Sequence, residues 1–238
     1  MRSNKYILLI ILCAMLIICC GCDACKTPNA EVAVPDTDAR YIPPDMKEKL
    51  QTEFEAYEGS HYFLRVYDSV LLYSMCDYDS ISAWLADHEH KVAYMAVTGD
   101  ENDYECGCLI TEKGGTLEQS RISTYYYHSW NILLPYVINP ELIFGAEAEI
   151  YAVYCITGGS VFDGDTILYM TDQGNYVLHK YLPYLEEVYL VPVDVLRNMY
   201  TQLKKPSEGA GVWYAMDALP GIQEYIIDLE NPPEFPLS

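Results

Sequence analysis

The residues with the clearest chemical potential sit in four short stretches. Tyr125-Tyr126-Tyr127-His128-Ser129-Trp130 is an aromatic run. Read as a strand, it places Tyr125 and Tyr127 on one face and Tyr126 and His128 on the other. Tyr125, Tyr127 and Trp130 are therefore the candidate ligand-contact residues, since such a face could present rings to a sugar or a peptide. Cross-strand aromatic pairing inside a sheet accounts for the same residues. Asp87-His88-Glu89-His90 offers two imidazoles spaced by one, which on a strand would share a face and could take zinc or copper. They fall instead at the end of an expected helix, where histidine is favourable against the dipole, and no H-E-x-x-H accompanies them. Gly99-Asp100-Glu101-Asn102-Asp103 is acidic enough to attract calcium, but Tyr104 stands where a further oxygen ligand is required. Asp163-Gly164-Asp165 fits a hairpin turn.

Signatures for nucleophilic catalysis are missing. The chain contains no G-x-S-x-G, no S-x-x-K and no Gly-rich phosphate loop. Carboxylate pairs suited to glycoside hydrolysis carry no weight among 35 acidic residues, because any fold would bring many together. No catalytic residue, metal ligand or cofactor site is assigned, and an enzyme is the second reading.

Nine cysteines are present, four of them in the leader up to Cys22 and its neighbourhood. Cys25, Cys76, Cys106, Cys108 and Cys155 follow. Cys106 and Cys108, two apart in an expected strand, are expected to share a face. Zinc would need four ligands at recognisable spacing, and no second pair exists. Buried small hydrophobes is the economical reading for most of these thiols. An odd count leaves room for at most partial disulfide pairing among the five.

The elements that position these residues follow from periodicity. A helix is expected from Met46 to Tyr57, with Asp45 as N-cap, Glu48 completing a capping box, and Met46, Leu50, Phe54 and Tyr57 on one face. His61–Tyr73 reads as a strand. A short helix over Ser80–Asp87 should bury Ile81, Trp84 and Leu85. Two stretches then echo one another: KVAYMAVTG leading to YECGCLITEKGG, and IYAVYCITGG leading to DTILYMTDQGN. Each is an apolar strand ending in Thr-Gly, a turn, and a second strand ending in Thr-acid-x-Gly, which predicts two similar antiparallel hairpins. A strand at Tyr176–Lys180, another at Val188–Val191 and a helix from Val193 to Leu203 complete the pattern. Gly221–Leu229 fits helix and strand equally. Helices at the ends and strands in the middle predict an α+β domain with a mostly antiparallel sheet, built from two similar hairpins with flanking helices.

Composition bounds the partners. The chain has 238 residues, 35 acidic against 14 basic, and a formal net charge of -21. Two of the basic residues, Arg2 and Lys5, precede everything else. Such a surface cannot displace counterions from phosphates, so nucleic acid is excluded as a partner, and anionic headgroups are a poor match. Tyrosine is abundant, 23 residues against 5 Phe and 3 Trp, which suits half-buried strands and contact surfaces.

Arg2 and Lys5 open a basic flank, and an unbroken apolar run follows from Tyr6 to Cys20. At helical rise that run covers about 22 Å, short of the ~30 Å hydrocarbon core. It reads as a secretory leader. Gly21-Cys22 follows. This junction resembles that of the bacterial lipoprotein class, in which a small residue precedes the cysteine that receives a diacylglyceryl group. Cys19 stands where that class usually has an aliphatic residue. The resemblance implies cleavage before Cys22, lipidation of Cys22, and a domain held at the extracytoplasmic face of a bacterial cell membrane. Two acyl chains anchor stably where one does not. Residues 1–21 are thus the expected signal peptide, 22–44 a proline-rich tether, 45–230 a single domain and 231–238 a tail. The expected partners are the membrane, through the anchor, and an extracellular ligand or protein. A hydrolase of cell-wall or carbohydrate material is the alternative.

Overall fold

In the computed structural model, residues 36–54, 60–98, 105–120, 124–158, 164–180, 187–203 and 216–232 are described. Nine strands form one sheet: β1 (Ser60–Tyr67), β2 (Val92–Thr98), β3 (Glu105–Lys113), β4 (Thr116–Ser120), β5 (Ile150–Thr157), β6 (Asp165–Thr171), β7 (Gly174–Lys180), β8 (Val188–Pro192) and β9 (Ile226–Ile227). Their order is β4-β3-β2-β1-β5-β6-β7-β8-β9. Every neighbouring pair is antiparallel except β1 and β5, which run parallel at the centre. Two antiparallel meanders therefore diverge from a central seam. The domain is α+β, as periodicity predicts.

Among the described residues five helices cover this sheet: α1 (Pro44–Phe54), α2 (Ile81–Asp87), α3 (Thr124–Ile138), α4 (Glu141–Phe144) and α5 (Val193–Gln202). On one face Trp130, Leu133, Leu134 and Val137 of α3 pack against Val66, Met95, Val97, Cys155, Ile167 and Tyr169. On the other, Trp84 and Leu85 of α2 and Leu196 and Met199 of α5 pack against Tyr154, Ile156, Leu168, Val177 and Tyr189. Leu50 of α1 closes that second face over Tyr94, Ala96, Cys108 and Ile110. Strands buried on both faces read as continuous apolar runs, and the sequences of β2, β5 and β6 show it.

Local signals explain most boundaries. The Ser80 side chain accepts a hydrogen bond from the Ala83 N–H at 3.1 Å, an N-cap that starts α2. α1 begins two residues earlier than the capping box predicts, with Pro44 in its first turn and the Lys47 N–H bonded to the Pro43 carbonyl. A proline there loses no helical hydrogen bond, so it takes the first position and Asp45 sits in the first turn. β3 turns into β4 through Gly114 and Gly115, both at positive φ (59° and 87°), as a two-residue hairpin loop with right-handed twist demands. The ambiguous C-terminal segment resolves into both alternatives, a 3-10 turn over Ile222–Tyr225 and then β9.

Three expectations need correction. The tyrosine run does not form a strand; it opens α3. Trp130, Leu133, Leu134 and Val137 recur at helical spacing, and that buried stripe outweighs the β-preference of aromatic residues. Cys106 and Cys108 do not share a face. The register of β2 with β3 slips so that Ala96 pairs with Cys108 and Val97 with Cys106, leaving Gly107 as the extra residue of a bulge. The strand's alternation breaks there. Cys106 joins the α3 layer and Cys108 the α1 layer. The chain also enters the fold before residue 45, because Asp38 and Ala39 are fully buried.

That early entry completes the sheet. β1 and β5 pair directly only at Val66–Cys155 and Tyr67–Ile156. Above those residues the chain from Asp38 to Arg40 lies between them. The Ala39 N–H donates to the Val153 carbonyl (2.7 Å), and the Arg65 N–H donates to the Ala39 carbonyl (2.7 Å). The Val153 N–H donates to Asp38 Oδ2 (2.8 Å). Below, Val70 N–H reaches the Thr157 carbonyl, and the Thr157 hydroxyl donates to Asp68. Residues Val34–Ser238 form one compact unit.

The two hairpins predicted from the sequence echo are present as β2–β3 and β5–β6. Their equivalent residues are not equivalently packed. Val97 lies in the α3 layer, whereas its counterpart Ile156 lies in the opposite layer. The shared spacing produces similar hairpins without placing them symmetrically.

Candidate functional site

Strand parity carries several polar side chains into the interior at one end of the sheet. Asp165 opens β6 in phase with Ile167 and Tyr169, so it points into the α3 layer and is 1% exposed. Lys180 closes β7 directly opposite it in register and is 2% exposed. One residue along, Thr166 and His179 form the next register pair, on the other face, joined through the Thr166 hydroxyl and His179 Nδ1 at 2.8 Å. The Lys180 ammonium donates to the Glu187 carbonyl at 3.4 Å.

Burial governs the charge state of this cluster. It pushes the Asp165 carboxyl well above the ordinary carboxylate range, opposed by the Trp130 indole N–H on α3. Among the described residues neither Trp130 Nε1 nor Asp165 Oδ1 has a hydrogen bond of good geometry, so that opposition is weak and the shift stays upward. Burial, reinforced by the Lys180 charge, pushes His179 down to about 3. Its Nε2 has no hydrogen-bond partner among the described residues. Gly164 lies against it: a Cβ there would meet the Lys180 carbonyl at 2.5 Å and His179 Nε2 at 2.9 Å, and φ is +66°.

The hydroxyl–imidazole contact between Thr166 and His179 has the distance of a nucleophile and its base. The remaining requirements are unmet. Both side chains are enclosed, the imidazole is a weak base, and Nε2 faces glycine backbone instead of an orienting carboxylate. The cluster is an enclosed polar core.

A second polar centre lies on the α2 side. The Arg65 guanidinium, 6% exposed, donates to the Asp36 carbonyl (2.5 Å) and to the Glu89 carboxylate, and stands 5.7 Å from the Tyr67 ring centre. The Tyr67 hydroxyl donates to the same carboxylate at 3.3 Å. Asp38, fully buried, is held by Arg40 through Nε and Nη2 at 2.9 and 2.8 Å. These groups bind the 36–40 segment to the sheet.

The residues proposed from sequence are dispersed. Trp130 is 1% exposed inside the α3 layer, so its ring does not offer a contact surface. Tyr125 and Tyr127 lie in the first turn of α3, and their side chains fall outside the described residues. So do Cys22, Cys25 and the acidic loop 99–103. His88 and His90 stack at 6.4 Å between ring centres, and each Nδ1 is bonded to a backbone carbonyl, of Trp84 and Asp87 respectively. Among the described residues no three His, Cys, Asp or Glu side chains converge as a metal site. Cys76, Cys106, Cys108 and Cys155 are free thiols. No helix among the described residues is long and apolar enough to cross a membrane.

Sequence reasoning placed Asp165 in a turn and missed His179 and Lys180. A signal existed: Asp165 and Lys180 share the parity of buried apolar residues in their own strands, Ile167 with Tyr169 and Tyr176 with Leu178. Comparison with protein-family models, with curated sequences and with solved structures finds no match to this chain.

Proposed function

We propose that this chain is a lipid-anchored extracytoplasmic binding protein, tethered through Cys22, whose domain meets an extracellular ligand or protein partner at its surface. The observation that supports contact over chemistry is the filling of both sheet faces. Apolar layers cover them, and the buried carboxylates of the described residues, Asp38 and Asp165, are enclosed. Asp38 is already engaged by Arg40 and the Val153 N–H. A carbohydrate hydrolase needs two opposed carboxylates with substrate between them. The acidic surface favours partners that are neutral or cationic.

Two measurements test this reading. Intact-mass analysis of membrane-extracted protein should show a chain starting at Cys22 with diacylglyceryl mass added, and Cys22→Ser should release the protein from the membrane. A ligand screen on residues 34–238, run beside hydrolysis assays on cell-wall glycan and oligosaccharides, should return binding without turnover. An unacylated start overturns the anchor, and catalytic turnover overturns the binding role.

A further inference from the structure

The central seam is closed in three different ways along its length. At its lower end, Thr157 is bonded to Asp68, Ser69 and Val70. In the middle, Val66–Cys155 and Tyr67–Ile156 pair as parallel strands. At its upper end, β1 and β5 never touch, and residues 38–40 bridge them. Val153 directs both its N–H and its carbonyl to this inserted segment. Arg65 reaches it twice, by its N–H to Ala39 and by its guanidinium to Asp36.

We propose that residues 36–40 are a strap that lifts as a unit, opening the upper seam while both meanders stay folded. The physical basis is the separation of what holds the strap from what holds the halves together. The strap contributes little apolar side chain, chiefly Ala39, and is held by backbone bonds, one carboxylate, one guanidinium and a 3.4 Å contact between the Thr37 and Tyr154 hydroxyls. The halves are joined independently. α3 packs on β3 in one meander and β6 in the other, so a single layer spans the seam. A segment fixed mostly by hydrogen bonds at the end of a continuous sheet opens locally at less free energy than the packed strands.

The strap is also continuous in sequence with the segment leading back to Cys22, so a load on that segment meets the strap before any of the described strands. The inference stands on the seam geometry and is independent of the anchor.

Amide hydrogen exchange of the intact chain, read residue by residue at low urea, tests it. The Arg65 and Val153 amides, which donate to the strap, should exchange at least about tenfold faster than those of Leu168 and Leu178, with little urea dependence. Asp38→Ala should accelerate Arg65 and Val153 by about tenfold or more and leave Leu168 and Leu178 unchanged. Asp38→Asn, which retains an acceptor oxygen, should recover part of the protection. Equal rates and equal urea slopes at all four amides in the unaltered chain would overturn the proposal, as would uniform acceleration by Asp38→Ala. If Asp38→Ala does not fold, the unaltered chain decides alone.

Discussion

Two buried groups one residue apart in register pull stability in opposite directions with pH, and each can be removed without the other. In the unfolded chain His179 titrates near 6.5, whereas in the fold it stays neutral down to about 3. Between those values unfolding takes up a proton, so its contribution is fully present above pH 6.5 and is lost as pH falls. Asp165 behaves oppositely. Its unfolded value is near 3.8 and its folded value is well above, so unfolding releases a proton and stability is lost as pH rises past 3.8. Each slope approaches about 1.4 kcal/mol per pH unit. From about pH 4.5 to about pH 6 the histidine slope is opposed by that of Asp165 for as long as the Asp165 carboxyl stays protonated in the fold. Asp165→Asn should unmask the histidine, so that stability rises with pH more steeply than in the parent over that interval. His179→Asn keeps a group able to bond the Thr166 hydroxyl and removes the titration. It should lose about 2 kcal/mol relative to the parent over the same interval, beneath a pH-independent cavity cost of about 1–3 kcal/mol. Urea unfolding followed by tryptophan fluorescence is suitable, because Trp84 and Trp130 report from opposite layers. If Asp165→Asn merely displaces the profile without changing its slope, Asp165 is ionised in the fold. Lys180, opposite it in register, would then be the group that holds its charge.

Further expectations concern packing and boundaries. Gly164→Ala forces a Cβ to within 2.5 Å of the Lys180 carbonyl at a left-handed φ, so it should cost about 2–4 kcal/mol; a loss under about 0.5 kcal/mol in thermal unfolding would contradict the geometry. A fragment starting at Tyr41 lacks the strap and should be about 2–4 kcal/mol less stable in urea than one starting at Val34, given its backbone and carboxylate bonds; coincident midpoints would argue against that. Maleimide labelling mapped by mass spectrometry should modify half-buried Cys76 before Cys106, Cys108 and Cys155 in the native state, and early labelling of Cys106 would show that the bulge register is wrong. Mild oxidation should not join Cys106 to Cys108, because the bulge sets them on opposite faces.

Legibility followed the amount of side-chain pattern each element carries. α2 was readable because Ser80 caps it and Ile81, Trp84 and Leu85 repeat at helical spacing. β2, β3, β5, β6 and β7 were readable as apolar runs between turn residues. α3 was misread because its first residues are tyrosines, whose β-preference dominates a short window. Only a window long enough to include Leu133, Leu134 and Val137 exposes the helical stripe. Parity failed at Cys106 and Cys108 for a different reason. A bulge is an event of pairing between two strands, and Gly107 alone marks it, one residue that alternation rules cannot weigh. The buried Asp165, His179 and Lys180 were passed over because charged residues at strand ends ordinarily mark the approach to a solvated loop.

The strap shows most clearly where composition misleads. Residues 36–40 read Asp-Thr-Asp-Ala-Arg after a proline, which resembles a tether in every respect that sequence statistics can detect. Its structural role depends on one peptide unit, Ala39, whose N–H and carbonyl satisfy Val153 on one side and Arg65 on the other. Backbone groups are the same in every residue, so this bridge leaves no periodicity and no preferred side-chain type. The side chains that support it act through distance in the chain: Asp38 on Val153, and Arg65 on Asp36. Each resembles an ordinary surface charge until the seam exists. The seam itself follows from two meanders that diverge from parallel strands, which leaves the upper edges of β1 and β5 unpaired and requires a third piece of chain to satisfy them. Any segment able to lie extended there would serve. The one that does is the stretch arriving from the N-terminal side, so the domain boundary is set by the hydrogen-bonding needs of residues 26 to 115 positions further on.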